Sequence, residues 1–158
     1  MVGMQIFIAS DHAGFELKES LRAFLAEAGH TVEDCGAFEK NEGDDYPDTV
    51  IPCAQKVAEM PDSFGIVIGA SGQGEAMAAN RVSGVRAAVF YGDVQGVQTD
   101  AEGGALSLVQ SVRAHNNANI LSLGARFITE EEAQTAVRIF LETPFSGDER
   151  HVRRLAKF

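Results

Sequence analysis

At 158 residues the chain is sized for one compact domain and leaves no room for two. Apolar residues make up 45% of it and charged residues 23%, enough to pack a core, which sets it apart from disordered chains. A net charge of -10 disfavours general nucleic-acid binding, and it requires any anionic ligand to be held by a local basic cluster against the global field.

The opening residues, MVGMQIFIAS, lack the basic and long apolar regions of a secretory leader. Within them Gln5–Ser10 reads as a short buried strand. Phe15–Ala28 places Leu17, Leu21, Phe24, Leu25 and Ala28 on one helical face, and Gly29 stops it. Thr31–Asp34 is a second strand, and Pro47 opens a helix running to about Met60. Phe64–Gly69 and Val85–Phe90 are further strands, near-continuously apolar as in a sheet covered on both faces. Gly92–Gly104 is polar, Gly-rich and without periodicity, which predicts a long loop of the kind that is functional or disordered. Ile120–Gly124 is the fifth strand, and Thr129 with Glu132 forms a capping box opening a helix to Glu142. The basic end, Asp148–Phe158, predicts a short helix or arm. Strands alternating with helices mean an α/β three-layer sandwich with right-handed crossovers. No apolar run approaches the roughly 20 residues that span a bilayer, so no membrane association is expected. Cys35 and Cys53 have neither metal-site spacing nor the number for a disulfide scaffold, so no metal is expected and a reducing cytoplasm is the default.

Ligands of open α/β sheets bind beyond the carboxyl ends of strands. The first strand is followed by Ser10-Asp11-His12-Ala13-Gly14 and the third by Gly69-Ala70-Ser71-Gly72-Gln73-Gly74-Glu75. The fourth leads through the long loop to Arg113-Ala114-His115-Asn116-Asn117, and the fifth is followed by Gly124-Ala125-Arg126. The expectation is that all four groups converge on one edge. The glycine turn lets backbone N–H groups approach an anion at a helix start. It is also half of a dinucleotide fingerprint, but the first strand lacks such a turn and no acidic residue stands at the ribose position.

These segments, together with Phe15-Glu16-Leu17-Lys18, Asp45-Tyr46-Pro47-Asp48, Ala78-Ala79-Asn80, Gly84-Val85-Arg86-Ala87-Ala88, Leu123-Gly124-Ala125-Arg126 and Arg150-His151…Arg153-Arg154, resemble the ribose-5-phosphate isomerase B family. That family also includes galactose-6-phosphate and allose-6-phosphate isomerases. The resemblance implies a Rossmann-like five-stranded parallel sheet, no cofactor, a sugar-phosphate substrate, and a homodimer (tetramer left open) whose sites borrow residues from both subunits. Where many members carry a cysteine at the end of the third strand, this chain has Gly69, and Glu75 matches the glutamate of another branch.

The resemblance makes Glu75 the base that carries a proton between two carbons, with Ser71 and the amides around Gly72 and Gly74 as donors to the ene-diolate oxygens. A carboxylate stabilising its own helix start is the structural alternative for Glu75. Asp11 matches a residue at the sugar ring oxygen or hydroxyls and His12 one near the phosphate, although both could instead cap the first helix. His115 matches the acid that opens the sugar ring, Asn116 a sugar or ene-diolate contact, and Tyr46 a pocket wall. Arg126, Arg150 and Arg154 match the phosphate-binding positions, the last two spaced to share a helical face. Arg86 and Arg113 are left without a role, and the two cysteines read as inert small hydrophobes. The Gly92–Gly104 segment departs from typical members by roughly a dozen additional residues, so the substrate stays open between five- and six-carbon aldose phosphates. A non-catalytic sugar-phosphate or nucleotide-binding module is the rival from another class.

Overall fold

Alternation of side chains along the central strands decides the architecture. In the computed structural model, which describes residues 2–158, β1 (Gln5–Ser10) sends Ile6 and Ile8 to one apolar cluster and Phe7 and Ala9 to another. The first cluster is closed by α1 (Phe15–Glu27), α4 (Leu108–Ala114) and α5 (Glu130–Glu142), through residues such as Leu21, Leu25, Val109, Val137 and Phe140. The second is closed by α2 (Pro47–Glu59) and α3 (Gln73–Ala79), through Val50, Cys53, Ala54, Val57 and Ala79. Helices on both faces of one sheet make the three-layer α/β sandwich that the sequence predicts.

The sheet is fully parallel in the order β2-β1-β3-β7-β4, with β2 at Thr31–Asp34, β3 at Phe64–Gly69, β4 at Ala87–Phe90 and β7 at Ile120–Gly124. Because β2 and β3 flank β1, the connections diverge there, which opens a crevice beyond the carboxyl ends of β1 and β3. Two boundaries differ from the sequence expectation. The fourth strand begins at Ala87, because Val85 closes a turn onto Val82 and the Arg86 amide donates to the Asn119 side chain. Within 92–104 the chain is not wholly irregular: β5 (Gln98–Thr99) begins an antiparallel hairpin that returns as β6 (Ala105–Leu106), with the Asp100 carboxylate bonded to the Glu102 and Gly104 amides in its turn.

Both capping boxes follow from local sequence. Thr129 and Glu132 exchange hydrogen bonds at the start of α5, and Ser107 and Gln110 do so at α4. The basic terminus forms α6 (Glu149–Leu155). No helix among the described residues is long and apolar enough to cross a membrane.

Candidate active site

The crevice at β1 and β3 receives the Asp11 and Glu75 segments, each placed by a short turn. Asp11 is buried and its Oδ1 accepts the amides of Ala13 and Gly14, so it caps a single 3-10 turn ahead of α1. Gly14 must be glycine, since a β-carbon there would run into the backbone and side chain of Ile68. The β3 loop is fastened to the chain beyond β7 by bonds from the Ala125 and Arg126 amides to the carbonyls of Gly69 and Ala70. Gly72 then turns left-handed, with φ of 77°, and its carbonyl accepts both the Ser122 hydroxyl and the Ala76 amide. That turn starts α3 so that Glu75, only 4% exposed, points back over Gly69.

A β-carbon at position 69 would fall on the Glu75 carboxylate. The absence of a side chain at Gly69 and the presence of an acid at Glu75 are therefore one arrangement. Two opposing effects act on this carboxyl. Backbone amides at the helix start favour its ionised form, but burial outweighs them, with Asp11 adding repulsion, and its pKa stands above the ordinary carboxylate value. The amides of Ser71 and Gly74 find no protein acceptor among the described residues, and the Ser71 Oγ accepts from Gln73. The Tyr46 hydroxyl lies against Gly74, 2.5 Å from where a β-carbon would stand. Thr49, one turn on, donates to the Ser10 carbonyl and locks the start of α2 to the end of β1.

The loop between β2 and α2 is held by a lysine that has no contact with solvent. Lys18 donates to both oxygens of Asp34 at 2.8 and 2.9 Å and to the Ala37 carbonyl at 2.6 Å. Asp34 in turn accepts the Gly36 amide, so a fully compensated buried charge sets the path of this loop. Farther along, Asp44 bonds His12 Nδ1 at 2.7 Å. Sequence reading missed Asp44; it lies just ahead of the Asp45-Tyr46-Pro47 segment and has no spacing that marks it. Asp11, His12 and Asp44 bring three possible metal-ligating atoms within 4.8 Å of one another. In this structure Asp11 Oδ1 accepts the Ala13 and Gly14 amides, and His12 Nδ1 and Asp44 Oδ1 bond each other.

One expectation is corrected. The Arg113–Asn117 group, His115 and Asn116 included, does not join this crevice within one chain. Helix α4 runs back past the sheet, so the segment after it precedes β7 and lies at the amino edge. There the Gly65 amide donates to the Asn119 carbonyl and Arg86 to the Asn117 carbonyl. The two edges are separated by the five residues of β7, roughly 15 Å of extended chain. His115 stacks on His151 of α6 with ring centroids 4.3 Å apart, which brings the helix carrying exposed Arg150 and Arg154 to the same edge. Burial first, then His115 and Arg150, holds the pKa of His151 below the ordinary imidazole value. Arg126, by contrast, follows β7 and stands beside the crevice.

Arg86 and Arg113 are structural at this edge. Buried Arg113 donates to Thr143, Asn117 and Ala118 and lies over the Phe64 and Phe140 rings, thereby fixing the segment that follows His115. Cys53 is buried in the α2-side apolar cluster, Cys35 packs against it, and both thiols are free.

The fold and this site define a doubly wound α/β protein with a buried acid at its switch point and a second polar cluster at the opposite edge. Residues 6–158 match the model of the Ribose/Galactose Isomerase family, and the chain belongs to that family. It is 41% identical over 152 residues to ribose-5-phosphate isomerase B of Mycolicibacterium paratuberculosis, covering 96% of this chain and 87% of that one. Against the enzyme of the same name from Mycobacterium tuberculosis (strain H37Rv) it is 41% identical over 155 residues, covering 98% and 88%. Among solved structures, ribose-5-phosphate isomerase B from Mycoplasma genitalium with bound ribulose-5-phosphate superposes with a TM-score of 0.84 at 36% identity, covering 99% and 95%. The Thermotoga maritima enzyme gives 0.82 at 40% identity, covering 98% and 96%.

Proposed function

We propose that the protein is an aldose–ketose isomerase interconverting ribose 5-phosphate and ribulose 5-phosphate, with Glu75 as the base. The observation that carries this reading is the Glu75 carboxylate itself, buried at the switch point over Gly69 with its pKa raised. Transfer of hydrogen between C2 and C1 needs one group that removes a proton from one carbon and returns it to the other. A desolvated carboxylate is a stronger base toward carbon than a solvated one. Negative charge then develops on the two oxygens of the ene-diolate, where the Ser71 hydroxyl and the Ser71 and Gly74 amides serve as donors. Asp11 orients the ring oxygen or the hydroxyls, and Tyr46 closes the wall. A pure binding module would have no use for a buried base, and the family membership argues the same way.

His115 is the acid that opens the cyclic sugar, Asn116 binds the sugar, and Arg126, Arg150 and Arg154 bind the phosphate. His115 and Asn116 stand at the amino edge of their own chain, so they serve the crevice of a second copy. A twofold homodimer joins the halves twice. Mixing Glu75→Gln with His115→Ala chains tests this. A hybrid dimer has one site with both defects and one with neither, so random exchange should restore about a quarter of wild-type activity. No gain over the two variants measured apart would overturn the shared site. The family's name includes galactose, so ribose, allose and galactose phosphates belong side by side in the first assay, run without added metal. Ketose formed from ribose 5-phosphate fastest supports the reading, and preference for a six-carbon phosphate replaces the substrate while keeping the chemistry.

A further inference from the structure

Asp44 reaches across from the β2–α2 loop to a residue that the isomerase reading places near the phosphate. Its Oδ1 accepts two bonds from His12, one from Nδ1 at 2.7 Å and one from the backbone amide at 3.2 Å. Two bonds to one oxygen fix both the ring's orientation and its tautomer: Nδ1 carries a proton, and Nε2 is left without a partner among the described residues. The Asp44 Oδ2 is sealed from solvent and has no hydrogen-bond partner among the described residues. With no donor to Oδ2 among the described residues, His12 is the main compensation that this carboxylate has.

The balance of charge around the crevice gives this pair a consequence. The charged groups that face His12 are Asp11 on its own turn and Asp44 and Glu42 on the opposing loop, all acidic. If His12 were neutral, these anions would repel a phosphate dianion, on a chain whose net charge is already -10. A proton on His12 neutralises Asp44 and turns an N–H cation outward. We propose that Asp44 is a positioning residue that holds His12 as an imidazolium whose Nε2–H binds the phosphate of the substrate. The inference rests on the isomerase reading given above. The hydrogen bond from Asp44, followed by the fields of Asp11, Asp44 and Glu42, raises the His12 pKa above its ordinary value and outweighs the burial that lowers it. Phosphate binding and proton uptake at His12 are therefore linked, and Asp44 extends that linkage to alkaline pH.

The test combines a proton titration with steady-state kinetics. His12 ring protons, assigned by their loss in His12→Asn, are titrated by NMR in the wild type and in Asp44→Asn. KM and kcat for ribose 5-phosphate are then measured from pH 6 to pH 9 in both. The His12 midpoint should fall in Asp44→Asn. The KM of the variant should exceed that of the wild type roughly tenfold at pH 8 and converge with it near pH 6, with kcat changed far less, as befits loss of one charge-assisted hydrogen bond. A KM ratio independent of pH, or an unmoved His12 midpoint, overturns the inference. If the variant does not fold, a wild-type midpoint at or below about 6.5 overturns it and a higher one supports it. Wild-type enzyme that forms no ketose from ribose 5-phosphate refutes the isomerase reading instead, while the titration still decides the coupling between Asp44 and His12.

Discussion

Replacing Glu75 with Gln separates the chemical role of this side chain from its structural one. The substitution keeps the shape beneath Gly69 and removes basicity. General-base catalysis contributes about 10²–10⁴-fold, and a sole base for carbon-acid chemistry stands at or above the upper end, so kcat should fall by about 10⁴ with substrate binding retained. Stability should move the other way. The folded-state pKa of Glu75 is raised by burial, so the folded protein holds this proton more tightly than the unfolded chain does. Any stability from that proton is fully present below the ordinary carboxylate value, and it is lost as pH rises through the raised one. At neutral pH the wild type therefore carries the cost of a buried anion, which Gln lacks. Each kcal/mol relieved should appear as about 2–4 °C in Tm, growing from pH 4 toward pH 7. The assay is a coupled ketose measurement beside thermal melts of wild type and variant at both pH values. The acidic limb of the wild-type kcat/KM profile should likewise lie above the ordinary carboxylate range. A control follows from the thiols: the Cys35→Ala, Cys53→Ala double variant should keep its rate. Retention of more than a tenth of the wild-type rate in Glu75→Gln would refute the assignment, as would loss of activity in a folded cysteine-free variant.

Gly69→Ala should place its methyl where the Glu75 carboxylate lies, and the flexible carboxylate can swing away more cheaply than backbone can. Kinetics should therefore show a loss of kcat of about 10²-fold or more with little change in Tm, because the general base is displaced; unchanged kcat would mean that the carboxylate is not where the reaction needs it. Arg150→Ala and Arg154→Ala should each weaken phosphate-ligand binding by about one to two orders of magnitude, read as KM and as inhibition by phosphate-bearing analogues. Normal binding would return these side chains to the solvated surface. Exchange of residues 94–103 for a short Gly-Ser linker should leave the fold intact and change activity or mass in solution, since loop length alone costs little. Unchanged kinetics and unchanged mass would make the hairpin dispensable.

Much of this could be read from residue patterns, for physical reasons that also explain the misses. Four of the five sheet strands keep the bounds drawn from the sequence; in β1, β3 and β7 burial on both faces makes the apolar run plain, whereas β2 is an exposed edge strand set off by the turn signals around it. The Thr129–Glu132 capping box was equally plain, being a local exchange of hydrogen bonds. Asp44 was not legible because its significance is a contact 32 residues away in sequence. The 98–106 hairpin is only two residues deep on each side, too short for alternation to show. His115 precedes a parallel strand, and such residues lie at the amino edge, opposite the loops that follow strands. That placement is what the proposal of a site completed by a second copy rests on, since the residues that resemble one catalytic set stand at opposite edges of one sheet.

The most direct test of the central claim is the fate of one proton. Enzyme incubated with ribose 5-phosphate in D₂O, with no metal or cofactor added, should form ribulose 5-phosphate carrying solvent deuterium at C1, as a base exchanging its proton with solvent between removal and return would leave it. Mass spectrometry and NMR of the product read this without coupling enzymes, and Glu75→Gln should yield neither product nor label. Absence of ketose from the wild type, or equal labelled turnover by Glu75→Gln, would contradict the account.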